Sequence, residues 1–152
     1  MSSTLAESIR VGSAFTLVGF AGAGAVALVK PDPSVGVLLV AAGLSAFISA
    51  TAGWAFLVAP HPNASRRRAA LAMTGSAVLG HFLTWAIFMV TASPQLYLAN
   101  PSDLLKVPIL ALVFGLVSLV IIGWLTIPLG IGVGLFFLRR RGTPSAIQAG
   151  PA

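Results

Sequence analysis

Four long runs of this chain contain no Asp, Glu, Lys or Arg: residues 11–29, 35–59, 70–92 and 107–138. All twelve charged residues lie between these runs or beyond them. Each run is near or above the ~20 residues needed to cross ~30 Å of hydrocarbon. Inside a bilayer no water satisfies the peptide groups, so a spanning segment is either a helix or a strand of a closed barrel. Barrel strands alternate polar and apolar residues over about 10 positions. These runs are continuous, which makes them helices. Composition agrees. Charged residues make up 8% of the chain and AVILMFWYC residues 57%, whereas a soluble domain carries about 25% charged residues. So few charges cannot clothe a water-facing surface. A soluble domain, a disordered chain, a coiled coil and a nucleic-acid-binding module are all excluded.

The expected fold is therefore all-α: an integral membrane four-helix bundle forming one domain over residues 1–141. Charge sets its expected orientation. With the N-terminus inside, the inner segments carry Glu7, Arg10, Arg66, Arg67, Arg68, Arg139, Arg140 and Arg141. The outer connectors pair Lys30 with Asp32 and Asp103 with Lys106. The whole net charge of +6 then lies on the cytoplasmic side, as the positive-inside rule requires. This predicts a cell-membrane protein with both termini cytoplasmic. Lys30-Pro31-Asp32-Pro33-Ser34 reads as a tight turn. Leu96, Tyr97 and Leu98 read as an interfacial stretch with Tyr97 as anchor. Asn100-Pro101-Ser102-Asp103 has an Asn cap, Pro in the first turn and an early acid, the pattern of a helix start. Pro108 then breaks that short turn from the fourth span.

The fourth run holds 32 residues, roughly 48 Å of helix at 1.5 Å per residue. That is too short for two spans and long for one, so a single helix kinked near Thr126 and Pro128 is expected. The Gly-, Pro-, Ser- and Ala-rich tail, residues 142–152, is expected to be disordered. Ala25-Val26-Ala27 has the A-x-A form of a signal-peptidase site, but its apolar run is long for a signal peptide and no net charge precedes it. The chain has no cysteine, hence no disulfide, thiolate metal site or palmitoylation site.

One residue stands out as chemistry. His81 lies near the middle of the third span, the only ionisable side chain at that depth, and such a residue is a functional hypothesis by default. Thr74, His81, Thr84 and Trp85 are spaced to share one helix face. The residues admit a structural imidazole hydrogen-bonded across helices, a transport or proton-relay group, or a cofactor ligand. Matching depth offers Ser45 or Ser49 on the second helix, or Ser118 on the fourth, as partners.

Three further features are noted. Small residues recur at helical spacing: Gly12, Thr16, Gly19 and Ala23; Ala42, Ala46, Ser49 and Gly53; Gly115, Ser118, Thr126, Gly130 and Gly134. Such stripes let helix backbones approach closely in lipid, either within the bundle or between subunits. Pro128 removes the hydrogen bond to the Trp124 carbonyl and is followed by Gly130, Gly132 and Gly134, so it is a candidate hinge or a source of freed carbonyls. The triplets Arg66–Arg68 and Arg139–Arg141 suit a topogenic role or anionic headgroups. Trp54 falls at the inner boundary, where an aromatic belt is expected. Asn63-Ala64-Ser65 matches a glycosylation sequon but falls on the cytoplasmic side.

No P-loop, HExxH, GxSxG or acid pair is present, and no cofactor or metal is expected. The sequence favours a non-enzymatic, accessory or structural membrane protein. Its partners would be the bilayer and a second copy or another membrane subunit, not nucleic acid. A small transporter or channel subunit using His81 and the Pro128 kink is the alternative. A membrane enzyme would need a site at the inner surface built from His61 and the arginines.

Overall fold

The computed structural model describes residues 3–29, 34–92, 94 and 100–141. Four helices, α1 (Ser3–Val29), α2 (Val35–Leu57), α3 (Arg66–Ala92) and α4 (Val107–Arg141), account for nearly all of them. All four are long and apolar enough to cross a membrane. A 3₁₀ turn, Pro101–Lys106, leads into α4. The expected Lys30–Pro33 turn, the Leu96–Leu98 stretch and the tail from residue 142 lie outside the described residues.

The helix ends differ from the apolar runs for local reasons. α3 starts at Arg66 rather than at residue 70, because the Ser65 hydroxyl caps it by accepting the Arg68 N–H at 3.2 Å. The first arginine triplet is therefore the first helical turn and not a loop. It sits against the helix dipole, which favours acids there. α2 stops at Leu57, two residues short of its apolar run, and the Trp54 carbonyl accepts the N–H groups of both Val58 and Ala59. Pro60 and Pro62 prevent continuation. The Asn100 side chain makes no capping hydrogen bond, contrary to expectation. The Asn100 carbonyl, however, accepts the Asp103 N–H. α4 is a single uninterrupted helix of 35 residues with Pro128 inside it, roughly 52 Å long at 1.5 Å per residue.

The helices pack in chain order, each antiparallel to the next. α1 opposes α2 where Gly12 meets Phe47 and Thr51, and Gly19 meets Ala42 and Ala46. α2 opposes α3 at Gly53 and Ser76. α3 opposes α4 where Gly115 meets Phe82 and Gly134 meets Met73. α4 closes on α1 through Gly130 against Phe15, but α1 and α4 touch less than the other neighbouring pairs. The small-residue stripes are thus seams within the chain. Gly132, by contrast, has open space around it.

The core is asymmetric along the bundle axis. Its cluster of Val11, Phe15, Val18, Ala46, Ala50, Trp54, Val58, Ala69, Ala72, Met73 and Ala77 lies in the half that ends in the arginine triplets. Trp54 is fully buried there. This corrects the belt expectation: the Trp54 side chain faces inward and not toward a membrane surface.

Candidate functional site

α3 is the central strut of the polar interior. The Ser76 hydroxyl lies 3.0 Å from the Ser49 carbonyl of α2 and 2.8 Å from the Ala72 carbonyl of its own helix, sharing its hydrogen between them. Further along, Ser45 of α2 and Thr84 of α3 share a hydrogen bond of 2.5 Å. On the opposite side, His81 reaches α4 with both ring nitrogens: Nδ1 lies 2.7 Å from the Ser118 hydroxyl and Nε2 lies 3.0 Å from the Thr126 hydroxyl. Ser118 and Thr126 are eight residues apart, so they share one face of α4, and the imidazole spans the gap between them.

The ring proton has two positions that satisfy both contacts. The Ser118 hydroxyl lies 3.1 Å from the Gly115 carbonyl, whereas Thr126 is 3.5 Å from the Ile122 carbonyl. With Nδ1 protonated, Ser118 accepts from it and donates to Gly115 while Thr126 donates to Nε2; with Nε2 protonated, Thr126 accepts from it and donates to Ile122 while Ser118 donates to Nδ1. Every polar hydrogen in the group is used, and neither ring nitrogen is left free.

The expected partners sort cleanly. Ser118 is one of them. Ser45 bonds to Thr84 rather than to His81, and its hydroxyl also reaches the Ala41 carbonyl. The Ser49 hydroxyl turns back to the Ala46 carbonyl. Both serines sit at a suitable depth on α2, but His81 points to α4. Thr126, expected at the helix kink, is the second partner of His81. Its spacing from Ser118 is the signal in the sequence that could have found it.

A cavity of about 70 Å³ adjoins the network and is walled by all four helices. Ser45, His81, Thr84, Trp85, Ser118 and Thr126 line it, together with mainly apolar residues such as Val18, Leu38 and Ile122. Thr74, on the same face of α3, does not line it. Neither does Pro128, which is exposed on α4.

A second cluster, not foreseen from the sequence, closes the arginine end. Arg141 grips Glu7 of α1 with two bonds, Nε to Oε1 at 2.5 Å and Nη2 to Oε2 at 2.6 Å. Its Nη1 also donates to the Val58 and His61 carbonyls at 3.3 and 3.5 Å, and its guanidinium lies 5.4 Å from the centre of the Trp54 ring. The two charged side chains are only 19% and 23% exposed. Arg141 is therefore a structural tie between α1, α4 and the α2–α3 connection, unlike the exposed Arg66, Arg67, Arg68, Arg139 and Arg140. Arg140 stacks over Phe136 at 4.6 Å. The sequence did carry a clue, since Glu7 is the one acid on the side of the chain where the arginines gather.

Among the described residues, no three His, Cys, Asp or Glu side chains gather where they could hold a metal ion. No known protein family matches the chain, and neither does any curated protein or solved structure.

Proposed function

We propose that the protein is a non-enzymatic membrane component, accessory or structural in kind, that crosses the cell membrane four times with both termini cytoplasmic. One observation carries the reading: both nitrogens of His81 are engaged by α4 hydroxyls. A cofactor ligand needs a free ring nitrogen, and a proton relay or general base passes its proton through a bonded partner that can ionise; both partners of His81 are alcohols, which do not ionise near neutral pH. An imidazole held on both sides instead ties α3 to α4, the role hydrogen bonds commonly take between membrane helices. In the same reading the exposed arginines face anionic headgroups, α4 bends at Pro128, and its broad exposed apolar face meets lipid, a second copy or a partner subunit.

Extraction in mild detergent followed by native mass measurement and an absorption spectrum tests this. The expected result is an assembly heavier than the 15.5 kDa chain, with no visible absorption band. A bare monomer would overturn the accessory reading, and a cofactor band would overturn the structural assignment of His81. Orientation is tested with single cysteines in this cysteine-free chain. A membrane-impermeant maleimide should label Ser102→Cys in intact cells and Ser65→Cys only after permeabilisation; the reverse pattern would invert the topology. A transport role has the cavity beside His81 in its favour, but a path to the arginine end would have to pass the packed Trp54–Met73 layer.

A further inference from the structure

The cavity beside His81 has a second space next to it. This larger cleft of about 390 Å³ lies between α1, α3 and α4, and the two share Val26, Trp85, Ser118 and Ile122 as wall residues. Two of its walls are α1 and α4, the neighbouring helices that touch less than the other pairs. Trp124, 72% exposed on α4, stands at its rim. This rim falls near the middle of the α4 apolar run, so in a bilayer the cleft opens sideways into hydrocarbon and not to water.

Apart from the indole N–H of Trp85 and that of Trp124, which donates to the Ile121 carbonyl, the walls are carbon except at the inner end, where the hydroxyl and imidazole groups are one-sided. Ser45, His81, Thr84, Ser118 and Thr126 bring one polar hydrogen each with the imidazole singly protonated. Those hydrogens are claimed by one another and by the carbonyls of Ala41, Gly80 and either Gly115 or Ile122, whichever ring nitrogen holds the proton. What remains on these groups is lone pairs. Ser118 is on the wall common to both spaces. These groups can accept a further hydrogen bond but have none to give.

We propose that the cleft binds a membrane-dissolved alcohol or phenol: a hydrocarbon body along the Trp85–Ile122 wall, with its hydroxyl donating to the Ser118 oxygen. Size permits this, since an apolar cavity of about 150 Å³ is enough to take a benzene ring. A ligand lacking the donor leaves the lone pairs unmet and gains only the apolar fit. The proposal is independent of the accessory role and leaves the His81 bridge in place.

The test uses the full chain in lipid nanodiscs and the quenching of its tryptophan fluorescence by 10-bromodecan-1-ol. Quenching should saturate. The methyl ether of the same alcohol, with the same body and no donor, should bind at least about tenfold more weakly, equivalent to ~1.4 kcal/mol. Val26→Phe narrows the cleft from α1 without touching the hydroxyl network and should abolish saturation while circular dichroism stays unchanged. Ser118→Ala should remove the preference for alcohol over ether. Quenching that only follows partition into lipid, or equal binding of alcohol and ether by the unaltered chain, overturns the proposal. The alcohol–ether comparison decides it even if a variant fails to fold.

Discussion

The two halves of the bundle are built from similar residues and packed differently. At the arginine end, Val11, Trp54, Val58, Ala69 and Met73 are sealed, and Arg141 ties three segments together across the top. Toward the other end, His81 through Met89 on α3 are only half-buried, and the two spaces lie between the helices. The difference lies in what faces the seams. Gly12, Gly19, Gly53 and Gly134 let backbones close up around a few large side chains. In the far half, Leu38, Trp85 and Phe114 stand on the walls of the spaces and hold the helices apart. Apolarity does not drive helices together in lipid, so close fit decides where the bundle is tight. One half is fastened and the other is left able to admit a guest.

The largest expected effect tests the tight half. Trp54→Ala should cost about 3–5 kcal/mol, as emptied core sites do, read as the shift in a denaturant unfolding midpoint. Trp85→Ala, beside an existing space, should cost clearly less; equal losses would break the comparison. Next, Arg141→Leu leaves Glu7 without its partner in a mostly buried place, at a cost of about 3 kcal/mol. Adding Glu7→Gln should then cost little more, because both changes break the same contact. Additive losses would show that Arg141 acts through the carbonyls alone.

Glycine substitutions sharpen the same contrast at smaller scale. A Cβ on Gly19 would lie 2.6 Å from the Ala42 carbonyl oxygen, so Gly19→Ala should destabilise by ~1–3 kcal/mol through overpacking. Gly132→Ala meets nothing within 4 Å and should stabilise by up to ~1 kcal/mol through helix propensity. The smallest effect belongs to the exposed Lys106–Asp103 pair, 2.6 Å apart. The hydrogen bond and charge of Asp103 hold the Lys106 ammonium above its usual range. Any stabilisation is therefore present through neutral pH and lost only as pH rises through the lysine's own titration. Lys106→Ala should leave the unfolding midpoint at pH 7 unchanged within error, because exposed pairs contribute little.

Much of the site was legible in part. The depth of His81 along α3 came from counting residues, and the same count brought Ser45, Ser49 and Ser118 level with it. It could not say which of them the ring meets. Each helical residue turns about 100° from the last, and the rotation of a helix in a bundle is set by which side chains interlock with its neighbours. Ser45 therefore meets Thr84, while Ser118 and Thr126 share the imidazole. Trp54 shows the same limit, as its level along α2 was readable but its inward direction was not. Arg141 was obscured by its neighbours, because three arginines in a row look alike until one of them finds Glu7.

The sequence alone determined that the chain is helical, that four segments can cross a membrane, and that charge is confined to their ends. These properties are local, since an unpaired peptide group or a bare charge is penalised in hydrocarbon wherever it occurs. Tertiary structure decided which end is sealed, which arginine is structural, and which hydroxyls hold His81. Those outcomes depend on how four similar apolar surfaces fit together, and in lipid that fit comes from side-chain shape rather than from composition.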